Sequence, residues 1–157
     1  MVERFPTLIL ITLVSSLVFS HQGLEAKNKW LLTPNEMQKI HQEVSPRKQP
    51  LTTREGPGPA IILENPKMLE NVKSPVDILI FFKPGTSGMP PDMASLNVRV
   101  IGFIDIDITD RVTEYIRHTN LDITDTSLPV GEHDIGVFIK DIEGNPNERV
   151  INVRVVP

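Results

Sequence analysis

The 157-residue chain contains no cysteine, and this absence excludes several classes of site at once. Without a thiol the chain can form no disulfide, no thiolate metal site and no cysteine nucleophile. We also expect no lipoprotein anchor, because that lipid is attached to a cysteine. A folded form must therefore be stabilised by its own hydrophobic core, which a domain of about 100 residues can provide.

Aromatic residues and excess basic charge are also scarce. Aromatic residues make up 5% of the chain, with one Trp and one Tyr, and the formal net charge is −4. A nucleic-acid-binding protein needs a clustered basic face, and attraction to anionic lipid needs a polybasic patch. The sequence therefore predicts neither partner. What it does contain is 14 prolines and nine glycines, which indicate many turns and short elements.

The amino-terminal residues have the pattern of a secretory signal peptide. Arg4 precedes an apolar run of 13 residues, 7–19. Such a run has the length of a signal sequence, about 7–15 residues, and is shorter than the roughly 20 residues that span a bilayer. We expect residues 1–20 to be a cleaved signal and the mature chain to be periplasmic or secreted, without a stable membrane anchor. An uncleaved anchor is the alternative.

The cleavage site has two candidates. Val18 and Ser20 occupy the −3 and −1 positions of a cut before His21, and a cut after Ala26 is the alternative. A chain that begins at His21 has an amino group and an imidazole that together could chelate copper. The second histidine of exported copper carriers is missing, so among metals we favour calcium over copper.

Residues 21–44 are predicted to contain one short helix, followed by a proline-rich linker over residues 45–59. Thr33 is the expected N-cap, Pro34 the first helical residue and Glu36 the third, which together form a capping box. Because so short a helix is marginal in water, it must dock on its own domain or on a partner, and docking on its own domain is the more frequent case.

From residue 60 onward the hydrophobic pattern alternates with a period of two. About seven short strands with polar turn signals between them predict an all-β fold, an antiparallel β-sandwich over residues 60–157. The predicted strands cover residues 61–63, 76–82, 96–100, 104–108, 121–123, 135–139 and 151–155, with a short helical segment at 110–116.

Turn motifs in the same region resemble those of bacterial exported immunoglobulin-like and fibronectin-III-like modules. The motifs are Ser74–Asp77, Ser95–Val98, Leu128–His133 and Asp141–Asn145. In such modules a Leu-Pro-x-Gly-x-His/Tyr turn leads into the penultimate strand, and an Asp-x-x-Gly-Asn turn closes the last hairpin. The resemblance covers roughly residues 60–156. It implies an immunoglobulin-like sandwich in a small periplasmic protein and is nearly silent on function.

No pattern in the chain is typical of an enzyme. The serines of the domain lie in turn contexts, and no G-x-S-x-G elbow is present. We therefore predict a non-enzymatic protein without a cofactor, either a binding or accessory module that engages another protein, or a metal-carrying protein. The sequence does not determine the oligomeric state.

Two sets of residues are candidate sites. Asp105, Asp107 and Asp110 could bind calcium, which prefers six to eight oxygen ligands, or could be a solvated strand edge whose charge opposes aggregation. Leu79, Phe81 and Phe138 are apolar residues on the outward faces of their strands. We expect the N-terminal helix to cover one of these apolar faces and a partner protein to contact the other.

Overall fold

A computed structural model of the chain describes residues 30–41 and 55–157. The predicted signal peptide, both cleavage sites, His21 and most of the predicted linker lie outside these residues. The described part contains two short helices and nine strands. In chain order these are α1 (Pro34–His41), β1 (Ala60–Asn65), β2 (Val72–Lys73), β3 (Val76–Lys83), β4 (Pro91–Ile101), β5 (Ile106–Asp107), α2 (Thr109–Thr113), β6 (Ile116–Arg117), β7 (Asn120–Thr126), β8 (Gly131–Asp141) and β9 (Pro146–Val156).

The strands form two sheets. One has four strands in the order β1-β3-β7-β6, and the other has five in the order β2-β9-β8-β4-β5. Neighbouring strands are antiparallel except β2, which pairs with β9 in parallel. The predicted all-β class is therefore confirmed. Three of the nine strands are only two residues long. Each of the other six contains a predicted strand, although β4, β8 and β9 extend several residues beyond the predicted bounds.

Alternating side chains from both sheets form one hydrophobic core. In the four-stranded sheet, Ile80 and Phe82 are buried along β3, while in the five-stranded sheet Val137 and Ile139 are fully buried along β8. This is the period of two that β-strands impose, since successive side chains point to opposite faces. The buried residues of the two sheets belong to a single cluster.

The predicted strand over residues 104–108 is wrong in most of its length. Only Ile106 and Asp107 pair with β4, and Ile104 is exposed. The backbone instead turns at Gly102, whose N–H donates to Asp105 Oδ1 at 3.2 Å. Thr109 then starts α2, and its N–H donates to Asp107 Oδ1 at 2.8 Å. Aspartate side chains that accept from nearby backbone N–H groups stabilise turns in competition with strand pairing.

Candidate interaction surface

Helix α1 begins with the predicted capping box. The N–H of Thr33 donates to Glu36 Oε2 at 2.9 Å, and the N–H of Glu36 donates to Thr33 Oγ1 at 3.3 Å. These reciprocal bonds satisfy backbone donors that the first turn of a helix leaves unpaired. The helix begins at Pro34, as predicted.

Apolar residues of the α1 segment are part of the domain core. Leu32 is fully buried, and Leu31 and Ile40 are 5% and 8% exposed. Leu31 lines the apolar interior between the sheets together with Val98 and Val112. The prediction that the helix docks on its own domain is therefore confirmed. Burying a leucine side chain contributes about 1.5–3 kcal/mol, which compensates for the weak intrinsic stability of an eight-residue helix.

A polar contact holds the same segment to α2. Arg111 Nη1 donates to the carbonyl of Leu31 at 2.7 Å and to Glu36 Oε2 at 3.0 Å, while its Nη2 pairs with Glu36 Oε1. The hydrogen bonds from Arg111, helped by those from Thr33, outweigh burial and lower the pKa of Glu36 to about 2. The same pairing raises the pKa of Arg111. Glu36 therefore stabilises the cap and the docking together.

Helix α1 lies across one end of the two-sheet domain, where β4 and β7 end and β8 begins. Leu31 N–H donates to the carbonyl of Ser127 at 3.3 Å, and Phe103 N–H donates to the carbonyl of Ile40 at 3.4 Å. A Cβ on Gly102 would lie 2.2 Å from a methyl group of Ile40. The helix thus contacts loops at the strand ends and does not cover the outer face of either sheet, where it was expected to lie.

Three large apolar side chains are exposed beside α1. Phe103 and Ile104, at the turn between β4 and β5, are 57% and 60% exposed, and Val130, just before β8, is 59% exposed. The two loops are close together because α1 contacts both of them. Ile40 touches the first loop, and Met37, one helical turn away, lies 2.8 Å from a Cβ placed on Gly131. We call Phe103, Ile104 and Val130 the α1-end surface.

The residues predicted to contact a partner lie elsewhere and on two different sheets. Leu79 and Phe81 are half-buried on β3, and Phe138 is half-buried on β8. Lys140 Nζ lies 5.9 Å from the centre of the Phe138 ring, close enough for a cation–π contact. The structure does not bring the three residues into one patch.

The three candidate calcium ligands do not converge either. Asp105 accepts from the Gly102 N–H, as described above, and Asp110 is exposed in the first turn of α2. Asp107 also accepts from Asn97 Nδ2 at 2.9 Å, and hydrogen bonds from Thr109 lower its pKa. Within the part of the chain that the structure describes, no three acidic or histidine side chains are grouped as a metal site. The geometry therefore adds nothing to the calcium hypothesis.

The opposite end of the domain is organised around a buried carboxylate. Asp141, 1% exposed at the end of β8, accepts from Ser87 Oγ at 2.7 Å, from the Asn145 N–H and Nδ2 at 2.9 Å each, and from the Glu143 N–H at 3.0 Å. Burial alone would raise the pKa of Asp141, but these hydrogen bonds lower it to about 2. They join the β3–β4 loop to the β8–β9 hairpin, which lies at the predicted Asp-x-x-Gly-Asn turn.

Comparison of the chain with protein-family models, with curated proteins and with solved structures finds no match in any of the three. Neither helix in residues 30–41 and 55–157 has the length and apolar composition that crossing a bilayer requires.

Proposed function

We propose that this chain is an exported, non-enzymatic binding module with an immunoglobulin-like fold, and that its α1-end surface contacts another protein. The observation that carries the proposal is the exposure of Phe103, Ile104 and Val130 around one docked helix. Single exposed apolar residues are common, whereas neighbouring ones indicate a contact surface. Aromatic residues are also enriched in the cores of protein interfaces.

The order of the strands supports the immunoglobulin-like assignment. Immunoglobulin domains place strands A, B, E and D in one sheet and strands G, F and C in the other. Here β1-β3-β7-β6 corresponds to A-B-E-D, and β9-β8-β4 corresponds to G-F-C, with β5 beside β4 as an additional edge strand. Three of the motifs noted in the sequence lie at connections between strands, namely Ser74–Asp77, Leu128–His133 and Asp141–Asn145, whereas Ser95–Val98 lies within β4.

The packing around α1 favours binding at this end. The capping box, the buried leucines and the Arg111–Glu36 pair hold the helix in place. The backbone bond from Phe103 to Ile40 fixes the loop that carries the exposed phenylalanine. A contact surface that is already ordered loses less conformational entropy when a partner binds.

The amino-terminal sequence supports export of the module. An apolar run of signal-peptide length precedes the domain, and the absence of cysteine leaves no thiol to be oxidised in an extracytoplasmic compartment. We therefore expect the partner to be a periplasmic, envelope or extracellular protein.

Site-specific photo-crosslinking in the cells that export the protein tests the proposal. A photoreactive phenylalanine analogue replaces Phe103 in one variant and Ile142 in another. Ile142 is a matched control because it is 64% exposed and lies in the β8–β9 hairpin at the opposite end of the domain. We expect a discrete adduct at position 103 that is absent at position 142 and is lost when Ile104→Lys and Val130→Lys are added.

Two further positions test the contact residues predicted from the sequence. The analogue is placed at Phe81 and at Phe138, on the outer faces of the two sheets. A discrete adduct at either position, without one at 103, would move the partner surface to a sheet face and contradict the α1-end assignment. The absence of any discrete adduct at all four positions would contradict the binding-module proposal.

A further inference from the structure

Along β9, buried and exposed side chains alternate from Ile151 onward, but the first residues of the strand do not follow this pattern. Ile151, Val153 and Val155 are buried on the core-facing side. Asn147 and Arg149 have the same parity in an uninterrupted pairing with β8, so they occupy core-facing positions. An arginine in place of an apolar residue at such a position requires a partner for its charge.

The described residues satisfy only part of the hydrogen-bonding and charge-pairing capacity of Arg149. Its Nη1 donates to the carbonyl of Ile61 at 2.7 Å, and the guanidinium carries five N–H donors in all. Arg99, Arg111 and Arg154 are each paired with a glutamate. By contrast, no carboxylate of residues 30–41 or 55–157 forms an ion pair with Arg149, although the residue is half-buried.

Arg149 lines a groove at the end of the domain opposite α1. The groove has a volume of about 520 Å³, and its other lining residues include Glu55, Gly58, Gly85, Thr86 and Asn147. This volume lies within the range of about 300–1,000 Å³ that is typical of ligand sites. The groove is therefore large enough for an amino-acid side chain or for the end of a peptide.

Hydrogen bonds from the Asn147 side chain to the backbone, together with close backbone packing at Gly85, hold the walls of the groove in place. Asn147 Nδ2 donates to the carbonyl of Pro59 at 2.8 Å, and Asn147 Oδ1 accepts from the Gly56 N–H at 3.1 Å. Gly85 is packed so closely that a Cβ would lie 1.7 Å from the carbonyl oxygen of Gly58. A rigid site loses little conformational entropy on binding, which favours even a small ligand.

We propose that this groove binds a carboxylate of a peptide through the guanidinium of Arg149. A guanidinium matches the planar, bidentate geometry of a carboxylate better than any other side chain. Thr86, whose side chain is a hydroxyl, also lines the groove. The carboxylate belongs either to a chain terminus or to an acidic side chain, since both present the same group. This site is distinct from the α1-end surface and does not depend on it.

The competing explanation is that Arg149 guards the edge of the sheet. Inward-pointing charges are one device by which proteins prevent edge strands from pairing with other molecules. Strand β9 is covered by β2 only at Val155 and Val156, so such a role is consistent with the topology. The two explanations differ in whether a peptide carboxylate binds.

The test is an NMR titration of the full chain with three acetylated alanine peptides. One has a free carboxyl terminus, the second is amidated, and the third is amidated and contains one aspartate. We expect the amide signals of Gly85, Thr86 and Asn147 to shift with the first or third peptide, which identifies the source of the carboxylate. The neutral amidated peptide should leave them unchanged.

Three variants locate the binding group. Arg149→Gln should weaken binding about tenfold or more, because charge-assisted hydrogen bonds are lost, and Arg149→Lys should fall between it and the parent because it keeps the charge without the bidentate geometry. Arg117→Gln is the matched control, since Arg117 is an exposed arginine on β6, outside the groove. Thermal unfolding of each variant verifies that it is folded.

Several results would overturn the proposal. These are the absence of shifts with every peptide, equal shifts with the neutral peptide, or undiminished binding by folded Arg149→Gln. Self-association of Arg149→Gln together with no peptide binding by the parent would establish edge protection instead. Loss of the crosslink at position 103 leaves this titration unaffected, so failure of the proposed function and failure of this site are distinguishable.

Discussion

Neutralising Glu36 should weaken the docking of α1 on the end of the domain, because it removes the charge that pairs with Arg111. Glu36→Gln keeps the size of the side chain but removes the charge that pairs with Arg111. The pKa of Glu36 is lowered from 4.5 to about 2, which corresponds to at most about 3.5 kcal/mol at roughly 1.4 kcal/mol per pKa unit. The side chains of Glu36 and Arg111 are 21% and 36% exposed. Because water screens the pair, we expect a loss of about 1–2 kcal/mol.

Trp30 provides the assay for this loss. It is the only tryptophan in the chain, and it forms a bridge with Ser127 immediately before the docked leucines. Its fluorescence during urea unfolding therefore reports undocking of α1, whether α1 undocks locally or with the whole domain. The variant should unfold at lower urea concentration than the parent at pH 7.

The effect should depend on pH with a definite sign. Because the pKa of Glu36 is lower in the folded state, its stabilisation is fully present above about pH 4.5 and is lost as the pH falls towards 2. The difference between the parent and Glu36→Gln should therefore shrink over that interval. Glu143→Gln, an exposed position at the opposite end of the domain, is the control and should unfold like the parent. Equal unfolding of Glu36→Gln and Glu143→Gln at pH 7, or a difference that stays constant down to pH 2, would refute the reasoning.

Two further predictions concern Leu32 in the core and Asp141 at the end of the domain opposite α1. Leu32→Ala should lower the free energy of unfolding by about 3–4 kcal/mol, since the side chain is fully buried. Ile104→Ala, at a position 60% exposed, should change the free energy of unfolding by less than about 0.5 kcal/mol. Urea unfolding that shows similar losses for Leu32→Ala and Ile104→Ala would contradict the described packing. Asp141→Asn should lower the melting temperature at neutral pH, because an amide N–H₂ cannot accept the bonds from Ser87 and Asn145. The folded pKa of Asp141 is about 2 and its ordinary value is 3.8, so this stabilisation should be present above about pH 4 and lost as the pH falls towards 2. A difference in melting temperature between Asp141→Asn and the parent that does not change with pH would contradict this prediction.

Local sequence signals predicted the elements whose stability is local or periodic. The Thr33–Glu36 box depends on residues three positions apart, and its geometry follows from the helix itself. The alternation of Ile135, Val137 and Ile139 depends only on the strand period, which is why six longer strands could be located. At residues 104–108 the same alternation wrongly predicted a full strand, because Gly102 and Asp105 form a turn that the hydrophobic pattern does not reveal.

The sequence could not define the candidate sites where they depend on distances between separate elements. Leu79, Phe81 and Phe138 share an outward orientation in the sequence pattern, but β3 and β8 belong to different sheets. The sequence does contain a signal at Arg149, a charge at a core-facing position of an alternating strand, although no site was predicted there. Exposure of Val130 and Phe103 beside one helix had no counterpart in the sequence, since α1 brings together loops about 27 residues apart.

The sequence by itself determined the all-β class, the capped helix and the absence of every thiol-based site, because these depend on composition and on spacings within one element. Only the tertiary structure decided where α1 docks, that Glu36 meets Arg111, and that Arg149 lines a groove without a carboxylate partner among the described residues. Those contacts join residues that are far apart in the chain, and their free energy comes from burial and charge pairing that exist only once both sheets are packed.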